Sequence, residues 1–97
     1  MLVTNILRSA ADLLEKIGWC QGYGIDPKGQ RCAWSAMIKS AGCMPGRPSA
    51  DLDQAREYFD SYLGGSTITG WNDQKGRTLQ EVLFALRDAS NKYIPEA

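Results

Sequence analysis

The stretch Asn5-Ile6-Leu7-Arg8-Ser9-Ala10-Ala11-Asp12-Leu13-Leu14-Glu15-Lys16-Ile17-Gly18 decides how this chain folds. With successive residues turned by about 100°, Ile6, Leu7, Ala10, Ala11, Leu13, Leu14 and Ile17 share one arc, while Arg8, Ser9, Asp12, Glu15 and Lys16 fill the other. A stripe of that width marks an amphipathic helix laid on a core. Thr4 or Asn5 is placed to accept its first free amides, and Gly18 supplies the left-handed residue that ends it. On the wet face Arg8, Asp12 and Lys16 follow one another at the four-residue spacing of helical ion pairs.

Beyond this helix the text turns glycine-rich, with Gly18, Gly22, Gly24 and Gly29 and a turn at Asp26-Pro27-Lys28-Gly29, so 18–31 reads as a loop or short hairpin packed under Trp19. A second helix fits Cys32 to Ala41, with Ala33, Trp34, Met37, Ile38 and Ala41 on one side and Gly42 as its stop. Pro45, Gly46 and Pro48 interrupt regular structure until Ser49 or Asp51 caps a third helix, whose stripe is Leu52, Ala55, Phe59, Tyr62 and Leu63 and whose stop is Gly64-Gly65. Residues 66–70 are short and β-tolerant, and Trp71 to Gly76 reads as a turn. Thr78-Leu79-Gln80-Glu81 is a capping box that opens a fourth helix running to about Tyr93, before Pro95. The expected fold is therefore mainly α, four helices in one domain over 1–97. An α+β alternative pairs part of 20–31 with 66–71 in a small ribbon or sheet.

Composition narrows function mostly by exclusion. The chain has 97 residues, 43% of them hydrophobic and 23% charged, which is enough to build a core without metal or disulfide staples. Eleven basic residues balance eleven acidic ones, so no basic surplus points to duplex nucleic acid. The absence of His removes Ser-His and Cys-His dyads and imidazole metal ligands. No apolar run approaches a membrane span and the N-terminus lacks a signal-peptide pattern, so a cytoplasmic protein is expected. Cys20, Cys32 and Cys43 are odd in number and spaced unlike any zinc finger, so reduced thiols and no metal or cofactor are expected.

The candidates for chemistry are few. Cys20 lies in a polar loop and Cys32 at a helix start, where amide dipoles favour a thiolate; the competing reading, which we prefer, is two buried thiols beneath Trp19. In Trp71-Asn72-Asp73 the acid beside an amide could serve as a base in a cleft, but Asx turns that tie down the loop explain it more simply, with Trp71 anchoring it to the core. On that reading, Ala at Asn72 or Asp73 costs about 0.5–2 kcal/mol. Asp53, Glu57 and Asp60 gather on one flank of the third helix, and Phe84 stands off the apolar stripe of the fourth. These four are the candidate binding residues. Residues 1–48 carry three surplus positive charges and 49–97 three surplus negative ones, which suits two-signed complementarity with a partner.

Trp19-Cys20-Gln21-Gly22, Cys32-Ala33 opening an Ala-containing helix, and Trp71-Asn72-Asp73 before Gly76-Arg77-Thr78 and Glu81-Val82 together resemble an uncharacterised family of small bacterial and phage proteins, a domain of unknown function. Ser35-Ala36 stands where that family's Gly-Ala pair is expected. The resemblance implies a compact helical domain in a phage or mobile-element setting and supplies no activity. The expected function is a non-enzymatic protein-binding module, such as a phage-encoded inhibitor of a host or anti-phage complex, a CRISPR effector for example. A small hydrolase or transferase using Cys20 or Cys32 with Asp73, and a protein holding a nucleotide signal between Trp19 and Trp71, are the alternatives.

Overall fold

The computed structural model describes residues 2–42 and 49–94. Among them are five helices: α1 (Val3–Ile17), α2 (Ala33–Ser40), α3 (Ala50–Tyr62), α4 (Ile68–Asn72) and α5 (Leu79–Lys92). The four longer ones are the helices expected from periodicity. Cys43, Pro45, Gly46, Pro48 and Pro95 lie outside the described residues.

Helix α1 is the spine, packing against α2, α3 and α5, while α4 bridges α2 and α3. The stripe read from the sequence is the buried face, with Ile6, Leu7, Ala10, Ala11 and Leu14 inaccessible to solvent. They join Met37, Phe59, Ile68, Val82 and Leu86 in one apolar cluster fed by all five helices. The start of α1 differs from the expectation at Thr4 or Asn5. The helix begins two or three residues earlier, with Leu2 at the N-cap and no side-chain cap, because Val3 is itself buried in the core and Leu2 O accepts from Ile6 N at 3.0 Å. Burial of a β-branched side chain outweighs a cap bond of about 1 kcal/mol. Asp12 and Glu15 reach across the helix pair to Arg87 at 3.1 and 3.3 Å.

Other termini follow their local signals. Ser49 caps α3 by accepting from Leu52 N, and Thr78 and Glu81 form the reciprocal capping box of α5. Gly18 closes α1 with φ +96°, and a Cβ there would stand 2.6 Å from the Gln30 side chain, so this position combines a backbone and a space requirement for glycine.

The segment read as β-tolerant followed by a turn is instead helical through Asn72. Thr67 caps α4 by accepting from Gly70 N at 3.1 Å, and Ile68 is buried in the core. A helix of one and a half turns shows no periodicity, and tertiary burial decides it. The α+β alternative is therefore corrected: among the described residues the only β contacts are the isolated bridges Trp19 to Arg31 and Ile25 to Arg31 inside the loop, and 66–71 takes no part.

Candidate functional site

The residues of the two sequence blocks converge. The connection between α1 and α2, residues 18–32, contains no helix or sheet and is held against the end of α4 by a polar cluster centred on Asn72. The carboxamide of Asn72 is fully buried. Its Oδ1 accepts from Trp19 Nε1 at 2.6 Å and from the amide of Ala33, the first residue of α2, at 2.9 Å. Its Nδ2 donates to Cys20 O at 3.1 Å and to Asp73 Oδ1 at 2.9 Å. Every hydrogen-bonding position of the amide is used, and one side chain fastens both ends of the loop.

Gln21 and Asp73 complete the fastening. Gln21 Nε2 donates to the carbonyls of Asn72 and Gln74 at 3.0 and 2.9 Å, and Asp73 Oδ1 also accepts from Gly22 N at 3.0 Å. The loop braces itself as well: Asp26 Oδ1 accepts from the amides of Lys28 and Gln30, and Gly29 N closes the turn onto Asp26 O, as Asp26-Pro27-Lys28-Gly29 leads one to expect. Around Asn72 and Asp73 the bonds run chiefly to residues far away in sequence rather than to the local backbone that Asx turns use. Gln21, unmarked from sequence except as part of its motif, belongs to the same cluster.

Trp71 faces the other way, toward α3 and α5. The Phe59 ring meets it edge-on at 6.3 Å, and the Arg77 guanidinium lies 4.0 Å from its centroid while donating to Trp71 O, Glu81 and Gln74. Trp19 and Trp71 thus end up in separate roles, Trp19 in the loop latch and Trp71 between the Phe59 edge and the Arg77 guanidinium.

Cys20 and Cys32 are buried free thiols, as preferred from sequence. Cys32 is the N-cap of α2, its sulfur accepting from Ser35 N at 3.4 Å. Cys20 points at the carbonyls of Tyr23 and Gln30, and burial, with Asp26 nearby, pushes its thiol above the usual range. Such a thiol is a poor nucleophile at neutral pH. Alkylation of the native protein followed by peptide mass mapping is expected to leave Cys20 and Cys32 unmodified until denaturant is added. Rapid native labelling of either would overturn this assignment.

The four candidate binding residues do not share one patch. Asp60 turns partly inward, its Oδ1 accepting from Ile68 N at 3.1 Å, and so positions α4. Glu57 lines a groove with Leu2, Tyr58, Tyr93 and Ile94, and Asp53 is exposed on α3. Phe84, 67% exposed, borders a different and shallow groove of about 670 Å³ lined by Tyr62, Leu63, Trp71 and Ala85. Missed from sequence were Tyr23 and Ile25, 61% and 53% exposed on the loop. The available signal was a pair of large apolar residues in a glycine-rich stretch with no helix to bury them.

The motif blocks now have a common structural purpose, and residues 1–92 match DUF6197, a family of unknown function. The chain belongs to the DUF6197 family. No curated protein and no solved structure matches it. Among the described residues of this DUF6197 chain no helix is long and apolar enough to cross a membrane, and no three His, Cys, Asp or Glu side chains gather as a metal site.

Tyr62, at the edge of the Phe84 groove, donates to Asp88 Oδ2 at 2.6 Å. Burial and that bond push its phenol up to about 12, while the same bond, with Lys92 beside it, pulls the Asp88 carboxyl down. A raised tyrosine pKa stabilises the fold fully below its unfolded value of about 10 and loses that contribution as pH climbs through the folded value. Alkaline titration of phenolate absorbance should show one group ionising near 12 in the parent that is missing in Tyr62→Phe. Unchanged curves would remove the Tyr62–Asp88 bond from the account.

Proposed function

We propose that this protein is a non-enzymatic protein-binding module that contacts its partner through the tip of the 18–32 loop. The observation that carries this reading is the combination of a 15-residue connection without regular structure, rigid fastening at both ends, and two large apolar side chains turned to solvent. Connections of that length in a small fold are uncommon and usually functional, and a loop ordered in advance loses little entropy on binding. Tyr23 and Ile25, beside Lys28, suit an apolar recess on a protein with acidic groups at its rim. A stoichiometric inhibitor of a host or anti-phage complex is one form of this activity.

Support for binding over catalysis comes from how the polar groups are spent. Asp73 Oδ1 takes two hydrogen bonds, the Cys20 thiol is buried, and the Trp71 face carries Arg77, which disfavours both a Cys/Asp hydrolase and a nucleotide between the tryptophans.

The test is a photo-crosslinking residue at Tyr23, with the same residue at exposed Asn5 as control, in cells that express the protein naturally. The expected result is one saturable adduct specific to position 23 and lost with Ile25→Asp at unchanged melting temperature. Equal adducts at both positions, or persistence in Ile25→Asp, would overturn the reading.

A further inference from the structure

Cys20 and Cys32 are neighbours at the base of the loop. Trp19 and Arg31 form a parallel backbone bridge, with Arg31 N donating to Gly18 O at 3.3 Å and Cys20 N to Arg31 O at 3.1 Å. Each cysteine follows a bridged residue by one, so the pair stands opposite each other with side chains on the same side of the bridge. Two further ties hold them there. The carboxamide of Asn72 spans the next rung, donating to Cys20 O at 3.1 Å and accepting at 2.9 Å from the amide of Ala33, the residue after Cys32. Toward the loop, Cys20 Sγ donates to Tyr23 O and Cys32 N to Gly24 O, two consecutive carbonyls.

Adjacent strands lie about 4.7–4.9 Å apart, and disulfides join Cα atoms separated by about 4.4–6.8 Å. A pair held in register across a backbone bridge therefore meets the main spatial requirement of a disulfide. The thiols already feel each other, since burial first, then Asp26, then Cys32 raises the Cys20 thiol. Weak sulfur bonds hold each in its reduced position: Cys20 Sγ points at the Tyr23 and Gln30 carbonyls and Cys32 Sγ accepts from Ser35 N, all at 3.4 Å. Both residues are buried, 8% and 4% exposed, so a sulfur from another chain has poorer access than the sulfur across the bridge.

We propose that Cys20 and Cys32 are a site of reversible oxidation, forming under hydrogen peroxide a disulfide that closes residues 20–32 into a covalent ring. The thiolate of one cysteine attacks the peroxide, breaking the O–O bond; its sulfur becomes a sulfenic acid and hydroxide leaves. The sulfur of the other attacks that sulfenic sulfur, the S–S bond forms, the S–O bond breaks and a second hydroxide leaves. The two thiol protons end on the two hydroxides as water. Each sulfur gives up one electron, and the peroxide takes both. Excess low-molecular-weight thiol reverses the bond by exchange. The raised Cys20 thiol and the burial make the reaction slow, so the disulfide accumulates under sustained oxidation rather than a brief pulse. Tyr23 and Ile25 lie inside the ring, but the assignment concerns the sulfurs and is independent of any partner of the loop tip.

Prolonged incubation of the folded parent chain with hydrogen peroxide tests this, followed by unfolding in an alkylating reagent and tryptic mapping without reductant. The expected product is the peptide Ile17–Lys28 joined to Cys32–Lys39, with both cysteines lost from the alkylated pool and both regained after dithiothreitol. Cys43→Ser should give the same linkage, which separates direct closure from exchange through the third thiol. The linked chain should melt at least about 5 °C above the same sample after dithiothreitol, because the ring restricts the unfolded chain. Cysteines that stay alkylatable after oxidation, a loss that dithiothreitol does not reverse, or links predominantly from Cys43 or between chains would each overturn the proposal. So would a linked chain that melts no higher than its reduced form, since the folded register would then not fit the bond.

Discussion

Asn72→Ala is expected to destabilise the protein by about 3–6 kcal/mol, because it strips partners from the Trp19 indole N–H, the Ala33 amide and the Cys20 carbonyl at once, each at about 1–3 kcal/mol when left unmet. The expectation from sequence, a local loop bond worth at most about 2 kcal/mol, is too small because it assumed exposed, short-range contacts. For a chain of this length the change lowers the melting temperature by more than about 12 °C. Asn72→Asp separates the donor and acceptor halves of the amide. It keeps the acceptor for Trp19 and Ala33, loses both donor bonds, and places a buried carboxyl against Asp73. Burial and the like charge raise that carboxyl's folded pKa above its unfolded value of about 4, so its penalty is full at neutral pH and shrinks as pH falls. Denaturant unfolding at neutral and mildly acidic pH checks both variants. An Asn72→Ala protein within about 1 kcal/mol of the parent would show that water replaces the amide and that the cluster does not hold the loop.

Asp73→Ala, by contrast, removes bonds to an exposed Gly22 amide and to Asn72, and stays near the smaller figure expected from sequence.

Phe59→Ala is the second large effect, expected at about 3–5 kcal/mol from lost burial and the cavity left behind. Phe59 is fully buried in α3, its ring stacked on Tyr62 at 5.9 Å and edge-on to Trp71 at 6.3 Å. The loss reaches beyond stability, since Trp71 and Tyr62 line the Phe84 groove and both lean on this ring. Near-UV circular dichroism should weaken at temperatures where far-UV helix persists, and Phe59→Leu should restore most of the stability without the aromatic signal. Unfolding free energy within about 1 kcal/mol of the parent would mean that neighbouring chains collapse into the cavity and that Phe59 is not a keystone of α3.

The four longer helices were legible in the sequence because the forces that define them act within a turn or two. The stripe of α1, the Ser49 cap of α3 and the Thr78–Glu81 box of α5 each involve residues no more than a few positions apart. The same locality explains the reading of the Asp26–Gly29 turn and the burial of the thiols beside Trp19. Helix α4 was not legible, since five residues carry no period and Ile68 is drawn in by a core assembled from the other helices. Nor was the centre of the loop latch. Trp19, Cys20 and Ala33 lie 39 to 53 positions from Asn72, and an asparagine in a turn-like stretch carries no mark of which distant groups it will meet. Only tertiary packing distributed the acidic flank, turning Asp60 inward to α4 while leaving Asp53 and Glu57 in water, and only packing left Tyr23 and Ile25 outside. Periodicity states which face of a helix is apolar, but which loops and side chains remain uncovered depends on how the helices close around one another.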